Sequence, residues 1–212
     1  LQGYNYYMTI KAFQLTQTEN ISINTNASSL DELTRDLPQG YYTTFSTLAQ
    51  AGKVLGLRSH LQRLYIPAQE TGLHPAVDES TLRARVANLV KENLPSESRI
   101  RLILTKDTGA VYVGIQPFKP HPEIIYRQGV HTVTSAITRH DPQIKDTGFI
   151  TESVEQRKLL SKDIFEVLLT KNGKILEGMT SNFYVVKGKT IITARQGILA
   201  GVTRKAVLGI AR

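Results

Sequence analysis

The hydrophobic pattern changes period several times along the chain, and each change marks an element. Residues 40–50 read GYYTTFSTLAQ, dense in aromatic and β-branched side chains, which predicts a strand. Ala51-Gly52-Lys53 turns it, and VLGL returns as the second strand of a hairpin. Roughly the first 40 residues are polar, with Thr, Ser and Asn throughout, and carry only weak strand signals. A helix is expected from Ser59. Gln62 lies three residues on, at capping-box spacing, and Leu61, Leu64, Tyr65 and Ala68 share one face. Pro67 falls inside that pattern and is expected to bend the helix or end it early. A second helix opens at residues 80–82, keeps Leu82, Val86, Leu89 and Val90 at helical spacing, and closes by Pro95. RIRLILT (99–105) and AVYVGIQPF (110–118) then read as two strands joined by the turn KDTG.

Lys119-Pro120-His121-Pro122 places two prolines in four residues, a stiff connection and the best candidate boundary. Beyond it, GVHTVTSAIT (129–138) reads as a strand. A loop follows with Asp141-Pro142 and Lys145, then a helical stretch with Val154, Arg157, Leu159 and Leu160. IFEVLLT, the Asn172-Gly173 turn, ILEG, NFYVV and TIITA predict a meander of antiparallel strands. GILAGVTRKAVLGIAR is a loop running into a helix. Strands and helices mix without strict β-α-β alternation, so the fold class is α+β in two domains. Residues 1–118 form the first, 119–128 a linker, and 129–212 the second. Within the second, LEGMTSNFYVV sets a single acid, Glu177, and a run of short polar side chains between two apolar stretches. Either this is a polar turn, or something there needs a charge and several hydrogen bonds.

Composition narrows the chemistry. At 212 residues the chain is long enough to bury a core without staples. It has no cysteine, which excludes disulfides and thiolate zinc sites and is compatible with a reducing, cytoplasmic setting. No metal site is expected. No apolar run approaches the roughly 18 residues of a membrane span. LQGYNYYMTIKAF lacks the basic and apolar segments of a signal peptide, and leaves open whether Met8 is the natural start with LQGYNYY a vector remnant. The net charge of +8 invites a nucleic-acid reading, but the basic residues are scattered without a run of five and no binding motif accompanies them. Attraction of small anionic substrates is the milder reading.

Four stretches, GYYTTF, HLQRLY, the Lys145 loop with ILEGMTSNFYVV, and GILAGVTR, together resemble the fold type IV family of pyridoxal-phosphate enzymes. That family includes branched-chain aminotransferases, D-amino-acid aminotransferases and 4-amino-4-deoxychorismate lyases. The resemblance implies the D-amino-acid aminotransferase-like fold, pyridoxal 5'-phosphate as cofactor, a small amino substrate and a homodimer whose partner helps close the site. Lys145, 32 positions before Glu177, would be the lysine that holds the cofactor and moves the substrate's proton. Lys158 and Lys162 sit too close to Glu177 to match. Glu177 would keep the pyridine nitrogen protonated, because an opposite charge favours the charged form. Thr180, Ser181 and Asn182 would bond the cofactor or shape the loop around it. Val202 and Thr203, at a helix N-terminus, would meet the phosphate together with Arg63 of HLQRL. Tyr42 and Thr44 would face the substrate, and Arg204 a surface or interface partner.

The lyase-like branch, which yields 4-aminobenzoate and pyruvate for folate biosynthesis, is the nearest in look through GYYTTF and PQIKDTGF. An aminotransferase using the same residues is the alternative, and a non-catalytic relative the third. Two departures stand out. TKDTGAVYV (105–113) lacks the arginine- and glycine-rich loop often found there for a substrate carboxylate, and the chain stops at Arg212, where the family usually continues for some tens of residues.

Overall fold

The structure, a computed structural model, describes residues 10–161 and 163–211. Met8 and LQGYNYY lie outside the described residues, as does Lys162. Contacts divide the chain into two units that meet between Lys119 and Pro120.

The first unit runs β1 (Lys11–Leu15), β2 (Asn20–Ile23), α1 (Leu30–Arg35), β3 (Gly40–Leu48), β4 (Lys53–Val54), α2 (Leu57–Glu70), α3 (Glu79–Lys91), β5 (Glu97–Thr105) and β6 (Val111–Phe118). Its strands form one antiparallel sheet in the order β2-β1-β6-β5-β3-β4. The register pairs Thr43 with Leu102 and Leu102 with Val113, so one face is apolar. Thr43 on that face bonds the ring of His60 on α2 at 2.6 Å. Leu61, Leu64 and Ala68 of α2 and Leu82, Val86, Leu89 and Val90 of α3 are buried. On the opposite face, α1 lies against β6, where a Cβ at Gly114 would come within 2.6 Å of the Leu33 side chain. Leu30 and Leu33 cluster there with Ile10 and Ala12.

Two expectations fail in this unit. The β3–β4 hairpin is shorter than VLGL implied, because Gly56 at φ 64° starts α2 at Leu57 with no side-chain cap. The capping box at Ser59 is therefore not formed. Pro67 does not end α2, which continues to Glu70. Few residues follow the proline, and the Thr71 hydroxyl donates to the Pro67 and Ala68 carbonyls to close the last turn. The second helix is capped by Asp78, whose carboxylate accepts from Ser80 and Thr81 N–H.

The second unit runs α4 (Glu123–Gln128), β7 (Thr132–Ser135), α5 (Gly148–Glu152), α6 (Val154–Lys158), β8 (Glu166–Lys171), β9 (Lys174–Gly178), β10 (Val185–Lys187), β11 (Thr190–Ile192) and α7 (Val202–Ile210). A short helix, α4, occupies most of the stretch expected as linker. The antiparallel meander is also corrected. β7 pairs parallel with β8, β8 pairs antiparallel with β9, and β10–β11 form a separate hairpin. The Asn172-Gly173 turn is as expected, with φ of 51° and 72°, the left-handed conformation of a tight hairpin. Phe149, Val167, Leu169 and Met179 form the local core.

Candidate active site

Glu177 lies one residue before the end of β9 with its side chain 3 % exposed, and Arg139, 5 % exposed, meets it. Arg139 Nε donates to Glu177 Oε1 at 2.9 Å, and Nη2 donates to the Met179 carbonyl at 3.2 Å. The guanidinium lies 3.8 Å from the centre of the Phe149 ring. Glu177 Oε2 accepts from Leu199 N–H at 3.0 Å and from Asn182 Nδ2 at 3.5 Å. Burial pushes the Glu177 carboxyl up, while the charge of Arg139 pulls it down first and its hydrogen bond next. The Leu199 N–H and the charge of Lys145 pull the same way, more weakly. Lys145, half-buried in the loop before α5, thus lies within electrical reach of Glu177. A buried ion pair, not a plain polar turn, is what the acid of LEGMTSNFYVV serves.

The turn after Glu177 rests on a second acid. Glu166 on β8 is 7 % exposed, and its Oε2 accepts from Thr180 Oγ1 at 2.8 Å, Ser181 Oγ at 2.9 Å and Thr180 N–H at 3.2 Å. The Thr180 and Ser181 hydroxyls therefore shape the loop. Their protons are directed at Glu166. Gly178 leaves room here, since a Cβ would fall 2.2 Å from Ser181 Oγ and that side chain would have to shift. Asn182 donates to the Leu199 carbonyl at 2.9 Å and pairs with Glu177 as a β-bridge, which ties the turn to the loop before α7. At Gly201 a Cβ would meet Asn182 Oδ1 at 2.1 Å, so that side chain too would have to shift. Val202 is buried and Thr203 exposed in the first turn of α7, which no side chain caps and no acidic residue enters. Arg204 Nη2 donates to the Ala194 carbonyl at 2.9 Å.

Glu166→Ala removes the shared acceptor. Thr180 and Ser181 are exposed, so water replaces their partner and the loss is expected near 1 kcal/mol, not the sum of three bonds. Faster amide exchange at Thr180 checks it, and unchanged exchange would mean that the turn holds without Glu166.

Lys145, Glu177, Thr180, Ser181, Asn182, Val202 and Thr203 all lie in the second unit. Arg63, half-buried on α2, and Tyr42 and Thr44 on β3 belong to the first unit. Tyr42 and Thr44 share a sheet face, as the strand period predicts, and both meet Arg101. Sequence reasoning missed Arg139, Glu166 and Leu199. For Glu166 a signal was present, since an acid inside the apolar run IFEVLL has to find partners. Leu199 contributes backbone only, which no side-chain motif announces.

Residues 40–212 match the class IV amino-transferase family, and the chain belongs to it. A D-alanine aminotransferase from Bacillus licheniformis is 29% identical over 176 residues, which cover 74% of this chain and 60% of that protein. Among solved structures, a candidate branched-chain amino acid aminotransferase from Thermotoga maritima aligns with a TM-score of 0.74 and 24% identity, over 95% of this chain and 73% of that one. The 4-amino-4-deoxychorismate lyase from Pseudomonas aeruginosa aligns with a TM-score of 0.59 and 20% identity, over 81% and 68%. The fold is that of class IV aminotransferases. The chain spans about three-fifths of the length of the curated D-alanine aminotransferase it matches.

Class IV aminotransferases use pyridoxal phosphate, and a similar aminotransferase from Mycobacterium tuberculosis has a structure in its pyridoxal-phosphate-bound form. The residues present fit that group. A carboxylate offers about four acceptor directions, and among the described residues Glu177 Oε1 receives one hydrogen bond. One place remains for the N–H of a protonated ring. Lys145 supplies an amine in the same unit, and the uncapped start of α7 suits a phosphate.

Proposed function

We propose that the chain belongs to a pyridoxal-phosphate-dependent aminotransferase that moves an amino group between a small amino acid and a 2-oxo acid. The observation that carries this reading is the buried Glu177–Arg139 pair with Lys145 in its field, in a chain of the class IV family. When bound, pyridoxal phosphate supplies an electron sink for charge that develops at the substrate's Cα. Glu177 holds a proton on the ring nitrogen, and Arg139 keeps Glu177 charged and fixed in place. Lys145 carries the proton to and from Cα. Val202 and Thr203 would offer backbone and hydroxyl donors to the phosphate. Tyr42 and Thr44 contact the substrate. A homodimer is part of the same reading.

Curated relatives similar in sequence, D-alanine aminotransferases among them, support amino-group transfer over the lyase reaction, which rests on GYYTTF and PQIKDTGF. Assays with D-alanine or a branched-chain amino acid and 2-oxoglutarate are expected to give the matching oxo acid in proportion to acceptor. Formation of 4-aminobenzoate and pyruvate from 4-amino-4-deoxychorismate, with no acceptor present, would replace this reading by the lyase. Absence of both, in a protein that binds the cofactor, would leave the scaffold as a binding relative.

A further inference from the structure

We propose that the first unit holds a site for a small aromatic acid between α2, α3 and the sheet, on the face opposite Tyr42 and Thr44. The site begins as a gap in the apolar core. Phe45 and Thr47 of β3 and Ile100 and Leu102 of β5 alternate onto the face that also bears Thr43, the partner of His60. Leu61 of α2 and Val86 and Val90 of α3 line the same space, and all of these side chains are buried. They do not close on one another. A cavity of about 140 Å³ lies between them, and its lining runs out to the exposed Gly52 and Lys53 of the β3–β4 hairpin and the exposed Arg83 and Ala87 of α3.

The deep wall offers an occupant no polar partner. Its hydroxyl, that of Thr47, donates to Glu97 Oε2 and accepts from Ser98 N–H at 2.8 Å. An apolar space of this kind does not hold water, and a cavity of about 150 Å³ lined by similar side chains takes up benzene. Left empty, it forfeits the dispersion contacts of its lining, so a phenyl ring of matching size is attracted.

The mouth has the opposite character. Lys53 and Arg83 border it, and neither is ion-paired among the described residues. The acid that holds the hairpin turn, Glu97, is spent on the Thr47 hydroxyl and on the Gln50 and Ala51 N–H groups at 2.8 and 3.1 Å. That turn is strained. Ala49, Gln50 and Ala51 take φ of 55°, 54° and 59°, the left-handed region that side chains with a Cβ avoid, and such strain gathers at ligand sites. A ring in the gap with a carboxylate between Lys53 and Arg83 answers both the apolar wall and the cationic mouth. The site stands apart from the proposed function, because it uses no residue given a role there.

The test uses the full chain, 13C-labelled at its Ile, Leu and Val methyl groups and titrated with sodium benzoate against sodium acetate at equal ionic strength. Saturable ring-current shifts are expected at the Val86, Ile100 and Leu102 methyls in benzoate and not in acetate, with Overhauser contacts from the benzoate ring to the same methyls. Lys53→Gln with Arg83→Gln should weaken benzoate at least about threefold, the scale of two exposed cation contacts, and leave binding of toluene unchanged. Ala87→Phe, at an exposed position on the mouth, should remove the benzoate shifts while the rest of the methyl spectrum stays in place. Absence of saturable shifts in the wild type would make the gap a packing void and overturn the site. Shifts that persist in Ala87→Phe, or equal shifts in acetate, would overturn it as well. Toluene binding tighter than benzoate would overturn the acidic class of ligand.

Discussion

Lys145→Ala is expected to abolish amino-group transfer and to leave no cofactor that borohydride can fix to the chain. The pyridoxal aldehyde needs a lysine amine, and among the described residues Lys145 is the lysine that acts on Glu177. Lys158 is exposed and ion-paired with Glu155 at 2.6 Å, which removes it as a rival. Mass spectrometry of the reduced, digested protein checks the attachment. A reduced adduct that survives in Lys145→Ala would move the assignment elsewhere. Stability should change by about 1 kcal/mol, because Glu177 keeps Arg139 as its charged partner. A second readout needs no cofactor. The charge of Lys145 lowers the affinity of Glu177 for its proton, so Glu177 should titrate higher in the variant, read from its carboxyl carbon by NMR.

Arg139→Met is expected to be the most destabilising single change in the second unit. It strands Glu177 in a buried position, and breaking such a pair from one side costs about 3–5 kcal/mol. The Glu177 proton is already held more tightly in the folded chain than in the unfolded one, and losing Arg139 tightens it further. The sign follows from linkage. Where the folded state binds more protons, stability falls as pH rises from the ordinary carboxylate range through the raised folded value. The deficit of Arg139→Met against wild type should therefore be largest at neutral pH and shrink as the solution is acidified toward that ordinary range. Urea melts at pH 8 and pH 5 measure it. Adding Glu177→Leu should recover much of the loss at neutral pH, since an apolar pair replaces a buried ionic one at little cost. If the double variant were no more stable than Arg139→Met, the cost would lie in packing on Phe149 and not in the stranded charge.

The contrast between what was legible and what was not follows from the range of each interaction. Strands β3, β5 and β6 and helix α3 announce themselves through local period, and their buried positions are those of the pattern. The start of α2 escaped because a left-handed glycine set it, two residues ahead of Ser59. NFYVV read as one strand, yet the turn bound by Glu166 and Asn182 holds the chain through residue 182, and β10 begins only at Val185. Glu177 and Lys145 were legible through family spacing. Arg139 was not, because its meaning comes from Glu177, which is 38 residues away.

The parallel pairing of β7 with β8 also orders events in assembly. The β8–β9 hairpin closes through a two-residue turn, and with it Glu166 and Glu177 come into place from sequence neighbours. β7 reaches β8 only across the crossover of residues 136–165, which carries both Arg139 and Lys145. Closing that longer loop costs more chain entropy before its contacts form. The acidic half of the site is thus local and early, and the basic half arrives late. Until the crossover docks, the nascent protein carries its carboxylates without their cations.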